Sequence, residues 1–310
     1  MTNPTSQSTD LEPLAGLLEA SGSYKVLRRL VAAAVVDRKP RSEERVALLL
    51  DLETTGLDTA VDEVIEIGMV KATYDVRSGV IGDVIGTFGC LREPTREIPP
   101  EVTRITGIDH GMVAGKRIDN DELESFVEGA DLAISHNAGY DRPIAERHFS
   151  VFEGLPWACS VRDIPWRDLG FESAKLGGLL AGFGLFHGAH RAVDDCLALA
   201  ELLRLHPQQG PASAMSMLLS RARRPTSRIW AAGAPFRTKD VLKNRGYRFS
   251  PSARCWHVDL ETDAEAAELT WLREAVYQSP VDLPVMHLGA LDRYSTRAEA
   301  MAPTASAPRP

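Results

Sequence analysis

Apolar and polar residues follow one another along this chain in patterns that predict several β-strands. VALLLDLE (46–53) is a short apolar run that ends in a turn, which is typical of a buried strand. EVIEIGMVKATYD (63–75) alternates apolar and polar residues, and VIGDVIGTFGCL (80–91) does so less regularly. These two segments predict a hairpin through the turn at 77–79, and DLAISHN (131–137) predicts a further strand.

Other segments carry apolar residues at helical spacing. The stretch from about Leu11 to Val36 predicts two short helices, separated by Ser-Gly-Ser at 21–23. Further helices are predicted around VTRIT after Pro99-Pro100, and at ELESFVEGA, YDRPIAERHF, LGGLLAGFG and DDCLALAELLRLH. Strands followed by strand–helix alternation predict an α/β fold with a mixed sheet flanked by helices.

The composition changes near residues 207–228, where PQQGP is followed by RARRPTSR. We therefore expect a domain at 45–206, a linker at 207–227 and a small α+β accessory domain at 228–295, so that truncation after about residue 210 would leave the first domain intact. In the accessory domain, KDVLKNRG predicts a helix ended by Gly246, YRFSPSARCWHVDL a hairpin, and ETDAEAAELTWLREAVY a helix capped by Thr262 or Asp263. Residues 1–44 should form a polar tail and helices, and residues 296–310 a disordered tail.

Composition places the chain among globular proteins. Of its 310 residues, 44% are hydrophobic and 25% are charged. The apolar run Leu30–Val36 is far shorter than the roughly 20 residues of a membrane span, and MTNPTSQSTD shows no secretory signal. The four cysteines form no CxxC pair, which argues against a zinc site or a dense disulfide framework. We expect a cytoplasmic protein with reduced thiols and no membrane partner.

The net charge of −8 does not exclude a nucleic-acid partner, because carboxylates that hold metal ions are neutralised by those ions. Between residues 221 and 257 the chain carries ten basic residues and one acidic residue, Asp240. Aromatic residues are interleaved with them: Trp230, Phe236, Tyr247, Phe249 and Trp256. We expect the basic residues to bind nucleic acid and the aromatic residues to form a small core, although solvated charges and base stacking are the respective alternatives.

Four acidic residues and one histidine stand in an order that suggests phosphodiester hydrolysis. Asp51 and Glu53 are two apart on a predicted strand, so their side chains face the same side. Asp141 follows a strand and a turn, and His190 and Asp195 flank the start of a helix. Two divalent ions about 4 Å apart can generate a nucleophile and stabilise both reacting oxygens. Mg²⁺ prefers oxygen ligands, and a neutral imidazole can accept a proton from water.

These fragments resemble the DEDD superfamily of 3′–5′ exonucleases, in the branch that ends in H-x4-D and includes proofreading subunits of bacterial DNA polymerase III. The matching motifs are D-x-E-T-T-G-L at 51–57, H-N-A-x-x-D at 136–141 and H-R-A-x-x-D at 190–195, within a likeness that covers about residues 45–205. The resemblance implies a ribonuclease H-like sheet and five catalytic residues. Asp51, Glu53, Asp141 and Asp195 would bind two Mg²⁺ or Mn²⁺ ions, and His190 would be the general base.

The resemblance also implies contacts with the 3′ end of a substrate. Thr54 follows the acidic pair, and Ile105 lies in VTRITGI (102–108), where an apolar residue can wedge against the terminal base. The full set of candidate contacts is Thr54, Thr55, Gly56, Leu57, Ile105, His136 and Asn137. His136 and Asn137 could instead form hydrogen bonds at a strand end. Asp194 competes with Asp195 as a ligand, and Glu66 could lie near the metals or face solvent.

We therefore expect a metal-dependent 3′–5′ exonuclease that acts on single-stranded or frayed DNA with a free 3′ end and releases mononucleotides, in proofreading or repair. A DNA polymerase is an expected partner. One alternative is an RNA-trimming exoribonuclease with the same site, because the motifs do not read the sugar. The other is a non-catalytic module that binds DNA or a polymerase; the presence of all five motif residues favours the enzyme.

Overall fold

A five-stranded mixed sheet forms the centre of the computed structural model, which describes residues 11–208 and 210–300, without the side chains of residues 299 and 300. The strand order is β4-β3-β2-β5-β6. The strands are β2 (Glu44–Thr54), β3 (Val64–Asp75), β4 (Ile81–Leu91), β5 (Leu132–Ser135) and β6 (Trp157–Cys159). β2 pairs antiparallel with β3 and parallel with β5, and β3 and β4 form the predicted hairpin. The predicted ribonuclease H-like mixed sheet is thus confirmed.

Strand β2 is buried on both faces. Ala47 and Leu49 pack into one apolar core, whereas Leu48, Leu50 and Leu52 pack into another. Helix α7 (Ala192–Arg204) contributes to the first core, and helices α4 (Asn120–Val127) and α5 (Ala138–His148) contribute to the second. A strand covered on both sides is apolar throughout, which explains the continuous run in VALLL.

The N-terminal region differs from its prediction. Helix α1 (Glu12–Ala20) is present, but no second helix follows among the described residues before β2. Instead, β1 (Arg28–Arg29) pairs with β7 (Leu185–Phe186), and the Val36 amide donates to the Val84 carbonyl. Extended pairing with distant strands satisfies these backbone groups, and it overrides the weak helical spacing of the segment.

The remaining helices of this part of the chain are short. They are α2 (Pro100–Thr106), α3 (His110–Val113) and α6 (Leu176–Gly182). The helices predicted around VTRIT and LGGLLAGFG are thus confirmed. In the described ranges, no helix has both the length and the apolar character that crossing a membrane requires.

A second, antiparallel sheet with the order β11-β8-β10-β9 lies near the C-terminus. Its elements are β8 (Thr226–Trp230), α9 (Lys239–Asn244), β9 (Arg248–Ser250), β10 (Cys255–Glu261), α10 (Glu265–Trp271) and β11 (Val285–Leu288). The β9–β10 hairpin and the helix before Gly246, whose φ is +99°, are confirmed. The predicted cap is wrong, because α10 begins at Glu265 and the Thr262 hydroxyl donates to the Pro225 carbonyl instead.

The aromatic residues of this sheet divide into two groups. Tyr247 is buried in the small core and Trp256 packs partly buried against it, as expected for core residues. Trp230 is also buried, but it contacts His257 and Met286 instead of this core. Phe236 and Phe249, in contrast, are 81% and 50% exposed. The small core therefore accounts for two of the five aromatic side chains, Trp230 is buried outside it, and two remain open to solvent.

The segment expected to be a linker at 207–227 is instead part of the main core. Residues 214–222 form helix α8 (Ala214–Ala222), and β8 begins at Thr226. Five side chains of α8 are buried in the core that also contains Leu49: Ala214, Met215, Leu218, Leu219 and Ala222. Composition suggested a loop because polar residues and Pro flank this helix. Truncation after residue 210 would remove α8 and expose the core beneath it, so the first domain would not remain intact.

The chain also returns to the main domain after β11. The buried guanidinium of Arg142 donates to the carbonyl oxygens of Ala290, Leu291 and Arg293 at 3.1, 2.5 and 2.6 Å. Arg297, at the start of helix α11 (Arg297–Ala300), pairs with Glu146 at 3.0 Å. Residues 296–300 are therefore ordered contacts rather than the predicted disordered tail; the rest of that tail and the polar start of the chain lie outside the described residues.

The burial of α8 predicts a large loss of stability on truncation of one side chain. Leu218→Ala should lower the free energy of unfolding by about 2–5 kcal/mol, because it removes a fully buried side chain and leaves a cavity. Chemical denaturation measures this change. The matched control is Leu17→Ala on α1, where the side chain is 70% exposed and the effect should be small. Equal denaturation midpoints for the two variants would contradict the packing of α8.

Candidate active site

The predicted catalytic residues come together at one end of the sheet. Asp51 and Glu53 lie near the end of β2, Asp141 lies in the first turn of α5, and Asp195 lies in the first turn of α7. One carboxylate oxygen each from Asp51, Glu53 and Asp195 lie within 4.8 Å of one another. Asp141, which is 3% exposed, and His190 line the same cleft of about 220 Å³. This cleft is called the acidic cleft below.

A glycine beneath Asp51 lets helix α7 approach the sheet. Gly68 faces Asp51 across the β2–β3 pair. A Cβ atom at this position would lie only 2.2 Å from the Ala192 carbonyl carbon and 2.4 Å from the Val193 nitrogen. The Cys196 thiol also donates to the Gly68 carbonyl at 3.3 Å. The absence of a side chain at Gly68 therefore places the start of α7, and with it Asp195, beside Asp51.

Asp195 closes the loop that carries His190. Its Oδ2 accepts hydrogen bonds from the backbone amides of His190 and Arg191 at 2.8 and 3.1 Å, and its Oδ1 lies 2.7 Å from His187 Nε2. The H-x4-D spacing is thus a closed loop in this structure, with His190 in a left-handed conformation at φ +69° and exposed. Sequence spacing gave no signal for the contact of His187 with Asp195.

The carboxyl groups of the acidic cleft perturb one another. Burial raises the pKa of Asp51, and the nearby carboxylates of Asp141, Asp195 and Glu53 raise it further. Burial, Asp195 and Glu66 raise the pKa of Glu53 to about 7. Burial likewise raises the pKa of Asp141, although backbone hydrogen bonds oppose the change. A divalent cation would relieve this repulsion, and a donor set of carboxylate oxygens fits Mg²⁺ or Mn²⁺.

Glu66 lies beside the acidic cleft but has its own partner. It is 4% exposed and faces Glu53 in the β2–β3 register. Arg191 Nη2 binds it at 2.8 Å, and the Ala192 amide donates to it at 3.2 Å. Of the two alternatives left open for Glu66, proximity to the acidic residues is therefore correct. Asp194 is exposed and lines a neighbouring cavity instead of the acidic cleft.

The side chains of Thr54 and Thr55 form hydrogen bonds within the turn at the end of β2 and with Tyr140. The hydroxyls of Thr54 and Tyr140 contact each other, and they lie 2.7 and 2.6 Å from the Gly56 carbonyl oxygen. Thr55 donates to Asp62 at 2.9 Å. A Cβ atom on Gly56 would lie 2.6 Å from that same Asp62 carboxylate. Substrate contacts by Thr54, Thr55 and Gly56 stay predictions, and the structure shows these residues building the turn.

The other candidate contacts differ in their exposure. Leu57 and Ile105 are 88% and 53% exposed, and neither is among the residues that line the acidic cleft. His136 and Asn137 do line it. His136 Nε2 donates to the Ala174 carbonyl at 2.8 Å, Nδ1 lies 2.7 Å from the Ser160 hydroxyl, and burial lowers the pKa of the ring. Both ring nitrogens of His136 thus have partners in the chain, whereas Asn137 is exposed at the start of α5 with φ +100°.

Sequence reasoning missed Tyr140 as a residue of the acidic cleft. It occupies a variable position of H-N-A-x-x-D and lines the cleft beside Asp141. Burial raises the pKa of its phenol to about 12, so the hydroxyl remains protonated and can donate a hydrogen bond. Adjacency to Asp141 was the available signal, but the contact with Thr54 depends on the fold.

Comparisons with known proteins match the part of the chain that carries the acidic cleft. A family model described as an exonuclease, of the ribonuclease T type, matches residues 48–203, which is half of the chain. The DNA polymerase III subunit epsilon of Treponema pallidum is 36% identical over 163 residues, covering 49% of this chain and 72% of that protein. The PolC-type DNA polymerase III of Thermotoga petrophila is 32% identical over 167 residues, but the match covers 52% of this chain and only 12% of the polymerase.

Among solved structures, exonuclease X in complex with 5′ overhanging duplex DNA aligns with 56% of this chain and 90% of its own, with 22% sequence identity and a TM-score of 0.38. The sequence matches, rather than this distant likeness, identify the family. The family model spans the mixed sheet, α5 and nearly all of α7, and thus all five residues of the three motifs. The chain belongs to the exonuclease family, and within it to the DEDD type that its motifs resemble.

Proposed function

We propose that this protein is a metal-dependent 3′–5′ exonuclease that hydrolyses the terminal phosphodiester bond of single-stranded or frayed DNA and releases mononucleotides. The observation that carries the proposal is the convergence of Asp51, Glu53, Asp141, His190 and Asp195 on one cleft. Burial raises the pKa of three of these carboxyl groups, Asp51, Glu53 and Asp141. Holding them together destabilises the metal-free fold, which a simple binding module would not require.

In this proposal Asp51, Glu53, Asp141 and Asp195 hold two Mg²⁺ or Mn²⁺ ions. Bound there, the ions would provide a nucleophile at neutral pH and stabilise charge on the attacking and leaving oxygens. His190 is exposed at the cleft, where its neutral imidazole can accept the proton of the attacking water. Asp195 also fixes the loop that presents this imidazole, through its bond to the His190 amide.

The names of the relatives favour DNA as the substrate and a DNA polymerase as the partner, in replication or repair. RNA is the alternative substrate, since the same five residues would serve both and the 2′-hydroxyl is read elsewhere. Degradation rates of labelled DNA and RNA strands of the same sequence, with Mg²⁺ or Mn²⁺, distinguish the two. If RNA is degraded faster, RNA becomes the proposed substrate in place of DNA.

The first prediction concerns Asp51→Asn, which removes a carboxylate without changing its size. Nuclease activity should fall by several orders of magnitude, while thermal stability without metal should be equal or higher because a source of repulsion is gone. The matched control is Asp194→Asn, an exposed neighbour of Asp195 outside the acidic cleft. Activity near that of the wild type in Asp51→Asn would refute the assignment.

The same repulsion gives the metal-free protein a pH dependence of stability. Because the folded state raises the pKa of Glu53 from its ordinary 4.5 to about 7, it binds more protons than the unfolded state between these values. Stability should therefore decrease as the pH rises through this window in EDTA, and Mg²⁺ should restore it at pH 7 and above. Thermal melts from pH 4.5 to 8 measure both effects, and an absent Mg²⁺ response would count against a metal site.

Another prediction concerns His190. His190→Ala and His190→Asn should each lower the turnover rate by about 10²–10⁴-fold, the usual contribution of a general base, with little change in strand affinity. Asn is the better-matched variant, because it tolerates the left-handed backbone at φ +69°. The acidic limb of the pH–rate profile should also flatten. Wild-type rate and profile in both variants would exclude a base role.

The last prediction of the exonuclease proposal concerns polarity. A blocked 3′ hydroxyl should protect a single-stranded oligonucleotide, whereas a blocked 5′ end should not. The measurement is the ladder of products from strands labelled at the opposite end. Efficient cleavage of a closed circular single strand would instead reveal an endonuclease.

A further inference from the structure

A second cavity, of about 240 Å³, lies on the other side of helix α5 from the acidic cleft. Asn137, Tyr140 and Asp141 line the acidic cleft, whereas Gly139 and Pro143 line this second cavity. A helix with its side chains is about 10–12 Å across, so the two cavities are separated by roughly that distance. The opposite wall of the second cavity belongs to β8, β9 and β10 of the C-terminal sheet.

Arginines dominate the charge of this second cavity. Arg162 is exposed, and its side chain has no ion pair or hydrogen bond within residues 11–208 and 210–300. Arg228 has a side chain that is only 7% exposed; it binds Asp259 at 2.6 and 2.8 Å. Arg248, whose side chain is half exposed, also contacts Asp259, at 3.3 Å. Two guanidinium groups thus bind one carboxylate while Arg162 stands beside them, and the arginines that line the cavity outnumber its one carboxylate.

One buried donor in this cavity lacks a partner. Arg228 Nη1 is inaccessible to solvent and has no hydrogen-bond acceptor among the described residues. Leaving a buried charged donor unpaired is costly, so a small movement of the Arg228 side chain that brings Nη1 to an anion in the cavity would supply the acceptor that the chain does not. Phosphate suits guanidinium groups particularly well, because its oxygens match their planar fork of donors.

An aromatic ring stands at the same cavity. Phe249 on β9 lines it and is 50% exposed, with its ring edge-to-face against Trp256 at 5.5 Å. An exposed ring beside a cationic pocket suits the stacking of an unpaired base whose phosphate occupies the pocket. Phosphate binding and stacking together are the chemistry of single-strand recognition.

We propose that this cavity is a second subsite for the substrate strand, in which Arg162 and Arg228 bind a backbone phosphate and Phe249 stacks on an adjacent base. The subsite rests on the proposed exonuclease function, and it holds the strand on the far side of α5 while the 3′ end occupies the acidic cleft. Strands long enough to reach across α5 then bind more tightly than substrates that fill the cleft alone.

The test compares two arginine variants of the full-length protein. Arg162→Ala should weaken binding of a fluorescent twelve-nucleotide DNA strand in EDTA about tenfold, the effect of losing one charged hydrogen bond. It should also reduce the log–log salt slope by about 0.7, the value for one phosphate contact on a single strand. Arg167→Ala is the matched control, since Arg167 is exposed, carries the same charge and does not line the cavity. Phe249→Ala should weaken binding to a similar extent without changing the salt slope.

Hydrolysis of a substrate that fills only the acidic cleft tests the exonuclease proposal separately from the strand subsite. The p-nitrophenyl ester of thymidine 5′-monophosphate should be hydrolysed by Arg162→Ala at the wild-type rate. If the wild type hydrolyses neither the ester nor the strand, the exonuclease proposal fails, whereas the binding comparison still decides the subsite. The strand subsite would be overturned if Arg162→Ala and Phe249→Ala bound the strand with the same affinity and salt slope as Arg167→Ala.

A free phosphate is the other source of the same chemistry. Inorganic phosphate or thymidine 5′-monophosphate could stabilise the wild type against heat but not Arg162→Ala. If strand affinity is unchanged in that variant, the cavity binds a small anion and the strand subsite is overturned. Weaker strand binding together with a smaller salt slope in Arg162→Ala supports the strand subsite.

Discussion

The repulsion among four carboxyl groups in a partly buried cleft is the constraint around which this molecule is built. Asp51, Glu53 and Asp195 place oxygens within 4.8 Å of one another, and Asp141 adds a fourth acid. Burial and mutual repulsion raise the pKa of Asp51 and Glu53, so the metal-free fold is under electrostatic strain at neutral pH. The acids cannot move apart, because β2 is fixed between two apolar cores. Packing elsewhere therefore compensates for a site whose repulsion is relieved by protonation or by bound cations.

The position of Asp195 depends on a contact remote from any carboxylate. Gly68 allows the backbone of α7 to lie against β3 at a distance that no side chain would permit. Once α7 is there, the amides of His190 and Arg191 and the ring of His187 fix the two oxygens of Asp195. Backbone proximity, rather than the acidic residues themselves, thus determines the geometry of the cleft, and it joins the loop that carries His190 to the sheet.

The sequence predicted those features that depend on local spacing. A two-residue spacing on a strand places Asp51 and Glu53 on one face, and the apolar run before them predicts the buried strand. Contacts between distant segments had no such signal, which is why His187 and Tyr140 were missed. The same reason explains the two errors in organisation: strand pairing with β7 replaced a helix near Arg28, and α8 packs into the core where composition suggested a linker.

The distribution of charge along the sequence differs from its distribution in the folded structure. The basic segment 221–257 ends just before the acids that neutralise much of it. The pairs are Arg228 and Arg248 with Asp259, Arg221 and Arg224 with Glu261, and Arg245 with Glu268. Among the described residues, the guanidinium at the second cavity that has no ion pair or hydrogen bond is that of Arg162, which comes from the exonuclease domain instead. A nucleic-acid surface here therefore requires the C-terminal sheet to be held against α5, and the bonds from Arg142 on that helix to residues 290–293 provide this attachment.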